Sequence, residues 1–169
     1  MLDQFNQISI RGRYIYCYVC LRNVIASKHF DNIPDFLDII LKLFTLSSEL
    51  DVWQDSADEV LPSVILDSKN EISRFKVIPH EQILALKVYY LQNELVANMI
   101  EHLIWLGMSN LYGGFNSAFT LDYVKDVIDL MHSNKVELPN FLIVNSCSVN
   151  ELGGWGNRVE LDSFLVNNS

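Results

Sequence analysis

Residues 79–111 read PHEQILALKVYYLQNELVANMIEHLIWLGMSNL, a long stretch in which apolar residues recur periodically. Most of them follow one another at intervals of three and four residues, the spacing that places side chains on one face of an α-helix. Apolar residues also cover much of the remaining circumference, which is typical of a helix in the protein interior. The pattern predicts one central helix, or two helices in tandem separated near Gln92 and Asn93.

Helical signals also occur in four other segments, namely residues 14–28, 32–44, 49–61 and 120–132. Pro34 and Asp35 are typical of a helix start, and Ser48 and Thr120 are suited to cap the helices that follow them. The segment 14–28 is apolar throughout, so its periodicity fits a buried helix or a buried strand. Its aromatic and β-branched residues favour a strand, but its length favours a helix, which we predict.

The rest of the chain has weaker patterns. Residues 62–78 are predicted to form an irregular connection, with Pro62 ending the helix before it. Beyond Pro139 we expect an irregular tail that lies across the helices and is anchored by aromatic residues. Since no alternating strands are found, the sequence predicts an all-α fold. It is a single-domain bundle of five to six helices over residues 1–165, followed by a polar tail at 166–169.

Charge and composition exclude several classes of protein. The chain has 169 residues and a formal net charge of −9, and because an acidic chain repels phosphate we expect no direct binding of nucleic acid. Its longest apolar run, residues 14–21, is far shorter than the ~20 residues that span a bilayer, so we expect no membrane partner. The N-terminus lacks the pattern of a signal peptide, and the cysteine count is odd, at three. Both features predict a cytoplasmic protein with free thiols.

Some residues have the chemistry of a reactive site without its spacing. Cys17 and Cys20 form a CxxC pair within a very apolar stretch, where two buried side chains are expected rather than a redox pair or half of a zinc site. Glu101 and His102 are adjacent and point about 100° apart around a helix, which separates them as metal ligands. No serine lies in a Gly-x-Ser-x-Gly elbow. We therefore expect no enzyme, with no catalytic residue, no metal site and no cofactor.

Glycine occupies positions 153, 154 and 156 around Trp155, shortly before Arg158. This segment lacks the lysine and hydroxyl residue of a phosphate-binding loop, so it is predicted to be a turn. Two roles are open for Trp155. It is either a buried anchor of the tail, which we favour, or a recognition residue displayed together with Arg158.

Acidic residues are concentrated in residues 31–60, which contain eight aspartates and glutamates and one lysine. Within this range, four of them lie on one face of the predicted helix 49–61, where like charges repel. The face is either simply solvated or it attracts a basic partner protein, and we predict the second. The predicted partner-binding residues are Asp51, Asp55, Asp58 and Glu59, then Asp122, Asp126 and Asp129 on the helix 120–132, and Trp155.

Four segments give the second half of the chain a recognisable layout: LYGG at 111–114, LDYVKDVI at 121–128, VELP at 136–139 and GGWG at 153–156. In this layout the chain resembles the small acidic helical immunity proteins encoded beside bacterial polymorphic toxins, including those of contact-dependent growth inhibition systems. The resemblance lies mainly in residues 105–160. Because its motifs are structural, it assigns no binding residue.

The resemblance implies an antitoxin that binds and neutralises one cognate secreted toxin domain, often a nuclease. A nuclease needs a basic cleft to attract phosphate, and a protein that presents carboxylates can block that cleft by stoichiometric occlusion, without catalysis. Two alternatives stay open. One is a regulatory or adaptor helical module that binds another cellular partner, and the other is a helical metal-dependent enzyme that uses His80, Glu101 or His102.

Overall fold

The computed structural model describes residues 2–67, 69, 72–109, 111 and 119–165. Its α-helices are α1 (Ile10–Lys28), α2 (Asp35–Leu46), α3 (Leu50–Glu59), α4 (Pro62–Leu66), α5 (His80–Gln92), α6 (Glu94–Met108) and α7 (Phe119–Ser133). Short 3-10 helices cover Leu2–Gln7, Ile72–Arg74, Phe141–Val144, Glu151–Gly154 and Leu161–Phe164. The all-α prediction is confirmed, with seven α-helices in these ranges instead of five or six. The predicted polar tail at 166–169 lies outside the described residues.

Helix α1 lies at the centre of the fold. It includes residues 14–28, which therefore form the predicted helix and not a strand. The hydroxyl of Ser9 caps its first turn by accepting a hydrogen bond from the amide of Gly12 at 3.2 Å. Helices α2, α6 and α7 all pack against α1. Every residue from Ile10 to Leu21 is therefore buried, and the aromatic and β-branched side chains that favoured a strand fill the core from a helix instead.

Tyrosines in α1 connect it to its surroundings. Tyr14, Tyr16 and Tyr18 are fully buried, and each hydroxyl donates to an acceptor in another segment. The acceptors are the carbonyl of Leu41 at 2.9 Å, the carbonyl of Pro139 at 3.1 Å and the carboxylate of Asp38. Because a buried hydroxyl needs such a partner, these contacts fix the position of α2 and of the C-terminal tail against α1.

The stretch 79–111 forms two helices, α5 and α6, separated at Asn93 as in the second predicted arrangement. Asn93 leaves the helical conformation, with φ −128° and ψ 60°, and its side-chain amide donates to the carbonyl of Tyr89 at 2.9 Å. Helix α6 then packs on α7, α1, α4 and α3. On the α3 side, Gly107 lies so close to Trp53 that an added Cβ atom would be 2.6 Å from its Cη2 atom.

Helix α4 corrects the prediction of an irregular connection over residues 62–78. Pro62 lies in its first turn, where backbone N–H groups have no acceptor within the helix. The missing N–H of proline therefore costs no hydrogen bond there. Pro62 thus begins a new helix just after α3 ends. The turn is only five residues long, which is too short for a periodic apolar pattern to reveal it.

The C-terminal tail lies across the start of α1. The amide of Ser9 donates to the carbonyl of Cys147 at 2.9 Å, and the amide of Arg11 donates to the carbonyl of Trp155 at 3.0 Å. Gly12 permits this approach, because an added Cβ atom would lie 2.5 Å from the Cβ atom of Cys147. None of the helices in the described ranges is long and apolar enough to cross a membrane.

Candidate functional site

Three of the predicted acidic residues form a row on α3. Asp51, Asp55 and Asp58 follow one another at intervals of four and three residues and are all exposed, whereas Trp53 and Ala57 on the other side of the helix are buried. Helix α3 contains no basic residue. Within the part of the chain that the structure describes, none of the three carboxylates forms an ion pair. Their negative charges therefore face solvent without a direct ionic partner among the described residues.

Glu59, the fourth predicted residue on α3, has a different role. Its carboxylate accepts hydrogen bonds from the backbone amides of Lys76 at 2.6 Å, Val77 at 2.9 Å and Ile78 at 2.8 Å. A carboxylate that accepts several amide N–H groups holds a loop much as a helix cap does. The side chain of Glu59 is thus engaged within the protein, and it fastens residues 76–78 to the end of α3.

Beside Glu59 the surface is concave. A cavity of about 450 Å³ is lined by Gln54, Asp55, Asp58, Glu59, Lys76 and Val77. Three carboxylates against one ammonium group make this lining acidic. A basic side chain of another molecule would meet favourable charge here, and the cavity would let it approach Asp55 and Asp58 from one side.

The acidic residues of α7 have more partners than those of α3. Asp129 forms an ion pair with Lys125 at 2.8 Å, and Asp126 lies 3.6 Å from the Nδ1 atom of His102. Asp122 is exposed. Helix α7 packs mainly on α6, α1 and Leu2–Gln7. Helix α3 also packs on α6. The two predicted groups of acidic residues thus lie on two different helices that both pack on α6.

The position of Trp155 leaves both of the roles that the sequence suggested open. Its side chain is half-buried and packs on the hydrophobic core, as an anchor does. It also lines a cavity together with Arg158, as a recognition residue does. This cavity lies at the start of α1 and includes Leu50, the residue before Asp51 of the acidic row, but none of the three aspartates lines it.

The groups with possible reactive chemistry are buried or have partners within the protein. Cys17 and Cys20 are buried, and burial raises the pKa of both thiols far above the usual value. Glu101 accepts hydrogen bonds from Ser63 in α4, whereas His102 faces α7. Over the described ranges, no three His, Cys, Asp or Glu side chains are grouped so that they could hold a metal ion.

Two buried arginines are the residues that the sequence reasoning missed. Arg11 and Arg13 lie in the first turn of α1 and are only 5% and 4% exposed. Arg13 donates to the carbonyl of Phe5 at 3.1 Å and to the hydroxyl of Thr120. Their position beside the apolar run 14–21 was a weak signal, since Arg22 at the other end of the same run is only partly buried.

Comparison with known proteins identifies no relative: no family model, no curated protein and no solved structure matches this chain.

Proposed function

We propose that this chain is an immunity protein that acts in the cytoplasm by binding a cognate basic toxin domain, a nuclease, and blocking it by stoichiometric occlusion. The observation that carries the proposal is the row of Asp51, Asp55 and Asp58, whose carboxylates have no cationic partner in the described parts of the chain. The layout of the C-terminal half, which resembles that of immunity proteins, supports the same function.

Electrostatics gives the proposal its mechanism. Like charges spaced along one helix face repel each other, and a basic partner relieves that repulsion while it gains attraction of its own. A nuclease carries its basic residues where it binds phosphate, so carboxylates placed there exclude the nucleic acid. The partner's cations approach the row of α3 and the adjoining acidic cavity. Occlusion of this kind needs no bond to be made or broken.

The proposal is tested by co-expressing the chain with the product of the neighbouring gene, followed by size-exclusion chromatography and a growth assay. We expect a one-to-one complex whose association slows steeply as the salt concentration rises, because salt screens exposed charges. The triple variant Asp51→Lys, Asp55→Lys and Asp58→Lys should lose protection. Its control is Asp3→Lys, Glu137→Lys and Glu160→Lys, which makes the same change of charge at other exposed positions.

The outcomes of these experiments distinguish an immunity protein from an adaptor module. If the α3 variant protects cells as well as the parent chain, the interface is elsewhere and the proposal loses its main support. Loss of protection on reversal of Asp122, Asp126 and Asp129 alone would place the interface on α7. A stable complex with a non-toxic cellular protein would favour an adaptor module instead.

A further inference from the structure

Arg11 is a buried cation without a counter-charge. Its guanidinium donates to the carbonyl of Gly156 at 2.8 Å and to the carbonyl of Ser47 at 3.0 Å, while its Nε atom has no acceptor in the part of the chain that the structure describes. No carboxylate there lies within ion-pair distance of it. In an acidic protein this arrangement is unexpected, because a buried charge is costly unless a counter-charge or full hydrogen bonding compensates it.

A second arginine adds to the positive charge. Arg158, which is exposed, lines the same cavity as Arg11, and no ion pair to it is found among the described residues. Burial lowers the pKa of Arg11, and the nearby charge of Arg158 lowers it further. Two guanidinium groups that repel each other would both be stabilised by a single anion between them.

The cavity between them is large enough for a small molecule. It measures about 330 Å³, within the usual range for ligand sites, and its other lining residues are Ser48, Leu50, Leu152 and Trp155. One part of the lining is thus cationic and carries a hydroxyl, and the other is apolar. Helix α3 begins at Leu50 with no side chain capping its first amide groups, and Asp51 in its first turn offsets the positive potential of that end.

The acidic residues nearest in sequence do not line this cavity. Glu49 lines a neighbouring groove between α2 and α3, and the carboxylate of Glu151 accepts from the amide of Asn157 at 3.4 Å. The backbone at Leu152 is in the left-handed conformation, with φ 45°, and the leucine side chain is left exposed at the rim of the cavity. A non-glycine residue is uncommon in this conformation.

We propose that this cavity binds an organic anion, that is, a carboxylate or phosphate group carried on an apolar body. The oxyanion lies between the guanidinium groups of Arg11 and Arg158 within reach of the hydroxyl of Ser48. The apolar body packs against Leu50, Leu152 and the indole of Trp155. Binding supplies the counter-charge that Arg11 lacks. This site does not depend on the proposed immunity function, since none of the aspartates of the acidic row lines it.

The test is a calorimetric titration of the purified full chain with benzoate, phenyl phosphate, inorganic phosphate and benzyl alcohol, with the indole N–H signal of Trp155 followed by NMR. We expect saturable one-to-one binding of benzoate or phenyl phosphate, together with a shift of the Trp155 signal. Benzyl alcohol, which is neutral, should neither bind nor shift that signal. The tighter of the two aromatic anions identifies the ligand as a carboxylate or a phosphate. Inorganic phosphate should bind more weakly, because it cannot contact the apolar wall.

Two variants decide whether the arginines are responsible. Arg158→Gln, at an exposed position without an ion pair among the described residues, should weaken binding by about tenfold or more, the effect of losing a charge-assisted hydrogen bond. Arg22→Gln removes the same charge from α1 about 16 Å further along the helix and should leave binding unchanged. The proposal is overturned if no probe binds saturably up to about 10 mM. Equal weakening by both variants, or equal affinity for inorganic and phenyl phosphate, would also overturn it.

Discussion

The carboxylate of Glu101 in α6 accepts two hydrogen bonds from Ser63 in α4, one from the backbone amide at 2.9 Å and one from the hydroxyl at 2.7 Å. Ser63 is the second residue of α4, so its amide is one of those that an isolated helix leaves without an acceptor. Glu101 therefore caps α4 from another helix. The indole N–H of Trp105 donates to the same carboxylate at 2.8 Å.

Loss of this cap should destabilise the fold. We expect Glu101→Ala to lower the free energy of unfolding by about 1–2 kcal/mol, the usual effect of removing a cap. The measurement is urea denaturation, with Glu137→Ala as a control at an exposed position without such contacts. If the Glu101 variant is as stable as the control, the cap contributes nothing.

Glu59 should matter more for stability than its neighbour Asp58. Glu59→Ala removes the acceptor of the amides of Lys76, Val77 and Ile78, and we expect a loss of about 1–3 kcal/mol. Asp58→Ala is the matched control, since Asp58 is exposed and unpaired among the described residues. Hydrogen exchange gives the local readout: the amides of residues 76–78 should exchange faster only in the Glu59 variant. Equal exchange in both variants would contradict the assigned role.

Gly107 should not tolerate a side chain. In Gly107→Ala the new Cβ atom would lie 2.6 Å from the Cη2 atom of Trp53 and 3.1 Å from the ring of Phe44, so we expect a loss of about 1–3 kcal/mol despite the better helix propensity of alanine. Combining it with Trp53→Phe removes the atom that clashes. The double variant should therefore lose less stability than the two single variants together, as measured by urea denaturation. Strict additivity would show that the two residues are not coupled.

Alkaline pH should unfold the protein through its buried tyrosines and cysteines. Burial raises the pKa of Tyr14 and Tyr90 well above 10, and that of Cys17 and Cys20 well above 9. In the unfolded chain these groups lose their protons at about pH 8.5 for cysteine and pH 10 for tyrosine. Since the folded state keeps them protonated, the stability they contribute is complete below those values and decreases as the pH rises past them.

The midpoint of urea unfolding should accordingly decrease from about pH 8.5 upwards, and more steeply above about pH 10. Ultraviolet absorbance supplies an independent check. Tyrosinate absorbance from the buried rings should rise together with the loss of helical circular dichroism. If these rings ionise while the protein stays folded, their burial does not control the transition.

Much of the fold follows from local sequence patterns. The periodic apolar residues of 79–111 predict α5 and α6 together with their separation near Asn93, because an amphipathic repeat depends only on side chains three and four residues apart. Ser9, which caps α1, and the turn Pro62–Leu66 escaped prediction, since a single cap and one helical turn carry too little periodic signal. Helix α1 could be assigned only by its length for a different reason: its sequence is apolar throughout, so its periodicity fits a helix or a strand.

The site depends on contacts that no local pattern contains. In sequence, Asp58 and Glu59 are adjacent acidic residues with the same expected role. One faces solvent and the other binds amides 17 to 19 residues away, because packing brings residues 76–78 to the end of α3. Arg11 meets the carbonyl of Gly156 across 145 residues of chain and that of Ser47 across 36, and these two distant carbonyls hold its guanidinium. The positions of the helices thus follow from residues three and four apart in the sequence. Whether a charged side chain is free to bind a partner is decided by distant segments, because those segments compete with solvent for its hydrogen bonds.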